Sequence, residues 1–223
     1  MARAQITAFD LDGTLLNGQS GTLILKYLTR RGLVKPRTFL AATWWGIRYK
    51  LHLPLRQNEV REGIFRDLAG LSTQQIDQIM QEFHDDVMVP RYREAGVAEL
   101  RRRVKAGEHV VMISATFDHV AQAARAYLGC EAALATFMEQ DEQGNYTGLV
   151  QGEVTAGPEK VRRIEAWANE AFGEGGWEIV AAYSDHYSDL PMLELATWPH
   201  AVNPGPTLRR EAERREWPIL DWK

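Results

Sequence analysis

Asp10 and Asp12 stand two residues apart in the stretch Asp10-Leu11-Asp12-Gly13-Thr14-Leu15, directly after the apolar run Gln5 to Phe9. That run reads as a buried strand. In open parallel α/β sheets the carboxyl ends of the strands are where ligands bind. Alternate strand residues share a face, so an i, i+2 pair of carboxylates at a strand tip can converge on one ligand. Two carboxylates that close repel each other unless a metal ion or a shared proton offsets the charge. The chemistry this permits is metal-assisted: one carboxylate attacks and its partner moves protons.

Three further segments carry complementary groups. Ser114 follows the apolar run Val110-Val111-Met112-Ile113, where a hydroxyl and backbone N–H groups can hold phosphate oxygens. Lys160 stands just after Gly157-Pro158-Glu159, where a compact ammonium could neutralise both a carboxylate and a phosphate. Asp185, with Asp189 four residues on, follows Ile179 to Tyr183; hard carboxylate oxygens with room for water suit magnesium. Each segment alone also has a plain structural reading: an Asx turn, a capping serine, a solvated helix lysine, an N-cap with a first-turn acid. Their order and their shared placement at strand ends favour the joint chemical reading.

The elements that must position these groups follow from periodicity. Ser20 to Arg31, a helix opened by Pro36, Asn58 to Leu68 and Thr73 to Val87 form a run of helical patterns without a convincing strand. From Val89 the pattern alternates. Helices are expected over Val97–Ala106, Asp118–Leu128 and Pro158–Phe172, and strands over Val110–Ile113, Ala132–Met138, Glu178–Tyr183 and near His200–Val202. Asp141 to Gly144 reads as a hairpin turn into Tyr146–Val150. Strands alternating with helices imply an α/β fold with a doubly wound parallel sheet. Its core comprises residues 1–16 and 89–223, and a helical cap over 17–88 is inserted after the first motif.

The chain has 223 residues, 45% hydrophobic and 25% charged, the profile of an ordinary globular protein with one substantial core and room for an accessory domain. A formal net charge of -4 offers no bulk attraction to nucleic acid or to an anionic membrane. The single cysteine, Cys130, excludes an intrachain disulfide framework and reads as core filler. Phe39 to Leu55 is interrupted by Arg48, Lys50, His52 and Pro54, too charged and too short to span a bilayer. With no leader-like start, a cytoplasmic protein without stable membrane insertion is expected.

The order Asp-Leu-Asp-Gly-Thr, Ile-Ser-Ala-Thr, Lys160 and Ser184-Asp185 with Asp189-Leu190-Pro191 resembles the haloacid dehalogenase superfamily of phosphohydrolases. The helical insert and the ending Ala201-Val202-Asn203-Pro204-Gly205-Pro206 with Trp217-Pro218-Ile219 are similar to its phosphoserine-phosphatase-like branch. The resemblance implies a Rossmann-like core with a C1-type cap and a Mg2+-dependent phosphatase acting on a small phosphomonoester. It makes Asp10 the nucleophile that becomes aspartyl-phosphate, and Asp12 the group that protonates the leaving oxygen and then activates water. Thr14, Ser114, Ala115 and Lys160 would contact the phosphoryl group. Magnesium would be held by Asp10, the Asp12 carbonyl and Asp185, with Asp189 grouped at the same metal site. Release of an alkoxide needs the second carboxylate, whereas attack on a carbon–halogen bond does not, so phosphatase chemistry is favoured. A phosphotransferase using the same aspartyl-phosphate, or a phosphate-binding homologue without turnover, are the alternatives.

The departures bear on the substrate. Phosphoserine phosphatases usually carry a glutamate nine positions after the nucleophile; here that position is Gln19, whose neutral amide forms no charge-assisted pair with an ammonium. Ser188 lies where those enzymes often place a phosphate-contacting asparagine, and His186 either faces solvent or meets the leaving group. Phosphoserine is thereby demoted among the small amino-acid-like or amino-alcohol phosphates expected, and histidinol phosphate or a lipid-derived headgroup are options beside it. Phe39, Trp44, Trp45 and Tyr49 could form a substrate lid, a bundle core or a homodimer surface. Arg48, Arg56, Arg61 and Arg66 could bind a second anion or form a solvated face, and Arg101-Arg102-Arg103 reads as solvated. Gly173 to Gly176 reads as a plain connector.

Overall fold

The strands are buried on both faces, and the alternation of their side chains divides the interior in two. Along the first strand, β1 (Ala4–Asp10), Ile6 and Ala8 enter one apolar cluster while Phe9 enters the other. In β2 (His109–Phe117), Val111 and Ile113 face the first cluster, and Val110 and Met112 the second. A near-continuous apolar run is what a parallel strand covered by helices on both sides requires. The computed structural model describes the backbone of residues 3–50 and 59–223, and the side chains of 3–44 and 61–223.

The remaining strands are β3 (Ala132–Thr136), β4 (Met138–Gln140), β5 (Tyr146–Val150), β6 (Trp177–Ser184), β7 (Trp198–Val202) and β8 (Ile219–Leu220). Of the eight strands among the described residues, six form one parallel sheet in the order β3-β2-β1-β6-β7-β8. This is the Rossmann-like α/β architecture expected. β1 lies centrally, with Asp10 opposite Ile113 and Phe9 opposite Tyr183. The carboxyl ends of β1, β2 and β6 therefore open at one edge of the sheet.

Helices α1 (Ser20–Arg30), α2 (Pro36–Lys50), α3 (Glu59–Asp67) and α4 (Thr73–Phe83) intervene between β1 and β2, followed by α5 (Glu94–Lys105). Their apolar residues, among them Ile24, Leu28, Phe65, Ile76 and Phe83, share one cluster with Leu100 of α5 and with Val120, Ala121 and Leu128 of α6 (Asp118–Leu128). On the other face lie α7 (Pro158–Phe172), α8 (Leu190–Glu194) and α9 (Pro206–Arg214), through Ile164, Met192 and Leu208. The chain enters and leaves the helical stretch side by side: Asn17 N donates to Arg91 O at 2.9 Å, and Arg93 N to Leu15 O at 2.8 Å.

Several elements differ from the sequence expectation. β2 runs on to Phe117 rather than stopping before Ser114, with a register break against β3 after Ile113. The expected strand Ala132–Met138 divides at Phe137, and its second part pairs antiparallel with β5 as a separate ribbon. Lys160 therefore follows this ribbon and a loop, not a strand of the main sheet. α4 gives way after Phe83 to a π turn over His84–Met88, and α5 begins at Glu94, three residues early. Arg103 is no solvated arginine: its side chain is 13% exposed and pairs with Glu99 at 2.8 Å and Glu108 at 3.1 Å. Phe39 and Trp44 are exposed and so are not bundle core, while the side chains of Trp45, Arg48, Tyr49 and Arg56 lie outside the described residues. Cys130 is buried, and burial pushes its thiol up to about 11, as an inert core residue should be. Among the described residues no helix is long and apolar enough to cross a membrane.

Candidate active site

Asp10, the last residue of β1, is 5% exposed, and its carboxylate is held by a lysine from α7. Lys160 Nζ donates to Asp10 Oδ1 at 2.5 Å and to Asp189 Oδ2 at 2.6 Å. Ser184 Oγ donates to the same Asp189 oxygen at 2.6 Å, and Thr14 Oγ1 to Asp10 Oδ2 at 3.2 Å. Lys160 reaches the centre because α7 begins with Pro158 after Gly157, whose φ of +55° a side chain rarely adopts.

Burial opposes every charge in this cluster. For Lys160, Asp10 and Asp189 outweigh it and hold the ammonium's pKa up. Burial pushes Asp10 well up, Asp189 and Asp185 add to the effect, and Lys160 is the main group opposing it. One ammonium between two carboxylates thus stabilises an arrangement that would otherwise expel a charge.

Asp12 turns away from this triad. Its Oδ1 accepts from Ser20 N at 2.7 Å and its Oδ2 from Ser20 Oγ at 2.8 Å, at the first residue of α1. Burial raises its pKa despite these two donors. Asp185, just past β6, is pushed up to about 7 by burial and then by Asp189. It leans on the turn after β1, where Gly13 has a φ of +80° and a Cβ would stand 2.0 Å from Asp185 Oδ2. Only glycine fits both conditions.

Among the described residues no three His, Cys, Asp or Glu side chains form a ready metal cage. The hard donors at hand are the Asp10 and Asp185 carboxylates, close enough for Asp185 to raise the pKa of Asp10, and the chain also offers the Asp12 backbone carbonyl two residues after Asp10. Asp185 is a half-buried carboxylate whose pKa the neighbouring acids Asp189 and Asp12 help to raise, the situation a cation relieves. A site of few carboxylates, a carbonyl and water is the donor set magnesium accepts, so the residues fit that ion.

The other expected site residues divide. Ser114 is buried at the same edge, and its Oγ accepts from Thr116 N at 3.1 Å, which leaves the hydroxyl proton to point at an acceptor. The Ala115 carbonyl accepts from Arg61 Nε at 3.3 Å and Thr136 Oγ1 at 3.1 Å. Gln19 is exposed at the N-cap of α1 and makes no side-chain cap bond, so it is not brought into the cluster. Ser188 and His186 are exposed and bond each other, Ser188 Oγ to His186 Nδ1 at 2.8 Å. Asp189, grouped with the metal ligands in the sequence, accepts from Lys160 and Ser184 on Oδ2 and from Ser188 Oγ on Oδ1 at 3.4 Å.

Ser20 and Ser184 were not anticipated. Ser20 had a signal, a small hydroxyl residue opening a helix shortly after the motif; Ser184 had none beyond its place before Asp185. Arg61, an open alternative in the sequence, is half-buried beside Asp12, where burial lowers its pKa and Asp12 counters the shift.

The fold and this set of carboxylates define a class. The description haloacid dehalogenase-like hydrolase matches residues 7–194, and the chain belongs to that family. The chain is 28% identical over 220 residues to a histidinol-phosphatase of Neisseria meningitidis, covering 98% of this chain and 99% of that protein. It is 30% identical to phosphoserine phosphatase SerB1 of Mycobacterium tuberculosis, covering 96% of this chain and 70% of the relative. A solved structure of unknown function from Bordetella pertussis superposes with a TM-score of 0.88 at 29% identity, covering 99% of both chains.

Proposed function

We propose that this hydrolase is a Mg2+-dependent phosphomonoester phosphatase working through an aspartyl-phosphate on Asp10. The observation that carries the reading is the buried Asp10–Lys160–Asp189 triad at the carboxyl end of β1, with Asp12 two residues past Asp10 and Asp185 just past β6. Lys160 favours the charged form of Asp10 against burial and holds it in place. The carboxylate attacks phosphorus, the bond to the ester oxygen breaks, and Asp12 gives that oxygen its proton. Asp12 then takes a proton from the water that cleaves the Asp10–phosphorus bond. Ser114, with its hydroxyl proton free to point outward, and Lys160 hold phosphoryl oxygens. Magnesium, held by Asp10, Asp185 and the Asp12 carbonyl, supplies Lewis-acid charge neutralisation when bound.

Residues 17–88 act in this reading as a cap over the cleft, with Arg61 reaching from α3 to the Ala115 carbonyl. The relatives named for histidinol phosphate and phosphoserine support a small amino-alcohol or amino-acid phosphate as substrate. The test is phosphate release from a panel of such esters, with magnesium and with chelator, on wild type and Asp10→Asn. Magnesium-dependent release that vanishes in the variant is expected; near wild-type release by Asp10→Asn would sink the assigned nucleophile.

A further inference from the structure

Asp12 differs from the other acids of the site in that one residue holds both of its oxygens. Ser20 N donates to Oδ1 at 2.7 Å, Ser20 Oγ donates to Oδ2 at 2.8 Å, and Ser20 is 1% exposed. The two donors are not equivalent. A backbone N–H can only donate, so Oδ1 must remain an acceptor whether Asp12 is charged or neutral. A serine hydroxyl can donate or accept by rotating, so Oδ2 tolerates a proton.

We infer that Ser20 is the positioning residue of the proton transfer, confining the Asp12 proton to Oδ2 and fixing the carboxylate plane to the first turn of α1. The inference rests on the reading of Asp12 as the proton-handling group. As the phosphorus–ester bond breaks and the Asp10–phosphorus bond forms, the Oδ2 proton passes to the leaving oxygen. The Ser20 hydroxyl then donates to the Oδ2 anion. In the second half-reaction the same oxygen accepts a proton from the attacking water as the Asp10–phosphorus bond breaks. Because Ser20 opens the helical stretch between β1 and β2, any displacement of α1 moves the acid with it.

The test compares kcat/KM for ethanolamine phosphate, whose alkoxide leaving group needs a proton, with p-nitrophenyl phosphate, whose phenolate hardly does. This constant reports the first half-reaction and is not masked by slow dephosphorylation. General acid catalysis contributes at least about a hundredfold, and Ser20→Ala is expected to forfeit about tenfold more on the alkyl ester than on the aryl ester. Asp12→Asn provides the reference and should show the same selectivity, more strongly. Ser20→Thr, which keeps the hydroxyl, should restore most of the alkyl rate. Ser20→Cys, a weak donor of similar size, is read by the same ratio if the alanine variant folds poorly. Equal losses on both esters in Ser20→Ala or Ser20→Cys, with Asp12→Asn selective, overturn the inference and leave the role of Asp12 standing. Loss of selectivity in Asp12→Asn overturns both.

Discussion

Gly13→Ala should disable the site while leaving the protein folded. Two costs can be read from the structure. Gly13 has a φ of +80°, where an L side chain is strained by about 1–2 kcal/mol. A Cβ there would also lie 2.0 Å from Asp185 Oδ2 and 2.5 Å from its Cγ, well inside the 3.4 Å at which ordinary contact begins. The Asp185 carboxylate must retreat by about 1 Å or more, and misplacement of that size costs about a hundredfold in rate. Gly107→Ala separates the terms, because Gly107 has a φ of +84° and nothing within 4 Å of its Cβ. Phosphate release measured against magnesium concentration, with urea unfolding on the same samples, tests the argument. Both variants should lose about 1–2 kcal/mol of stability from backbone strain, but Gly13→Ala alone should lose rate and need more magnesium for half-maximal activity. A Gly13→Ala protein with wild-type turnover and an unchanged magnesium requirement would refute the placing of Asp185 as a ligand-bearing group.

Lys160→Met should abolish activity and also cost about 3–5 kcal/mol by urea unfolding, since it leaves Asp10 and Asp189 facing each other without a counter-charge; a loss under about 1 kcal/mol would mean the triad is not the buried ion cluster described. In chelator, thermal stability should fall as pH rises from about 4 to 7. Asp185 titrates at about 7 when folded against an ordinary 3.8, so the folded state binds its proton more tightly and loses that advantage as the proton leaves. Magnesium should flatten this slope, because a cation favours the charged carboxylate; a midpoint that climbs over the same range in chelator contradicts the burial assigned to Asp185. Gln19→Ala should change kcat/KM on any good substrate by no more than about threefold, as expected for an exposed side chain without structural bonds; a larger loss would show that Gln19 swings into the cleft.

What could be read from the sequence was residue type at a strand end, and what could not was the direction each side chain takes. Asp10 was legible because an apolar run of strand length stops at it, and Lys160 because a glycine-proline start places it in the first turn of a helix. Their contact joins positions 150 residues apart, which no local periodicity encodes. The contact of Asp189 is hidden for the same reason: its spacing from Asp185 fits a ligand pair, while the ammonium that bonds its Oδ2 comes from a distant helix. Arg103 repeats the lesson away from the site. Glu99, four residues earlier, is a partner that helical spacing announces, but the Tyr183 hydroxyl at 2.8 Å arrives from β6 and makes Arg103 a half-buried tether, while Arg101 and Arg102 stay exposed. The hairpin turn into Tyr146–Val150 is legible, but the start of its first strand merges with β3 in the sequence because Ala132 to Met138 is continuously strand-like in type, while the sheet ends where Thr136 bonds across to Ala115. Ser20 shows the functional side of the same limit. A serine opening a helix is an ordinary local signal, and only the turn around Gly13 brings its two donors onto the carboxylate eight residues earlier. The chemistry of such a site is therefore carried by types that a sequence displays, and its timing by donors that become visible only when the turn is folded.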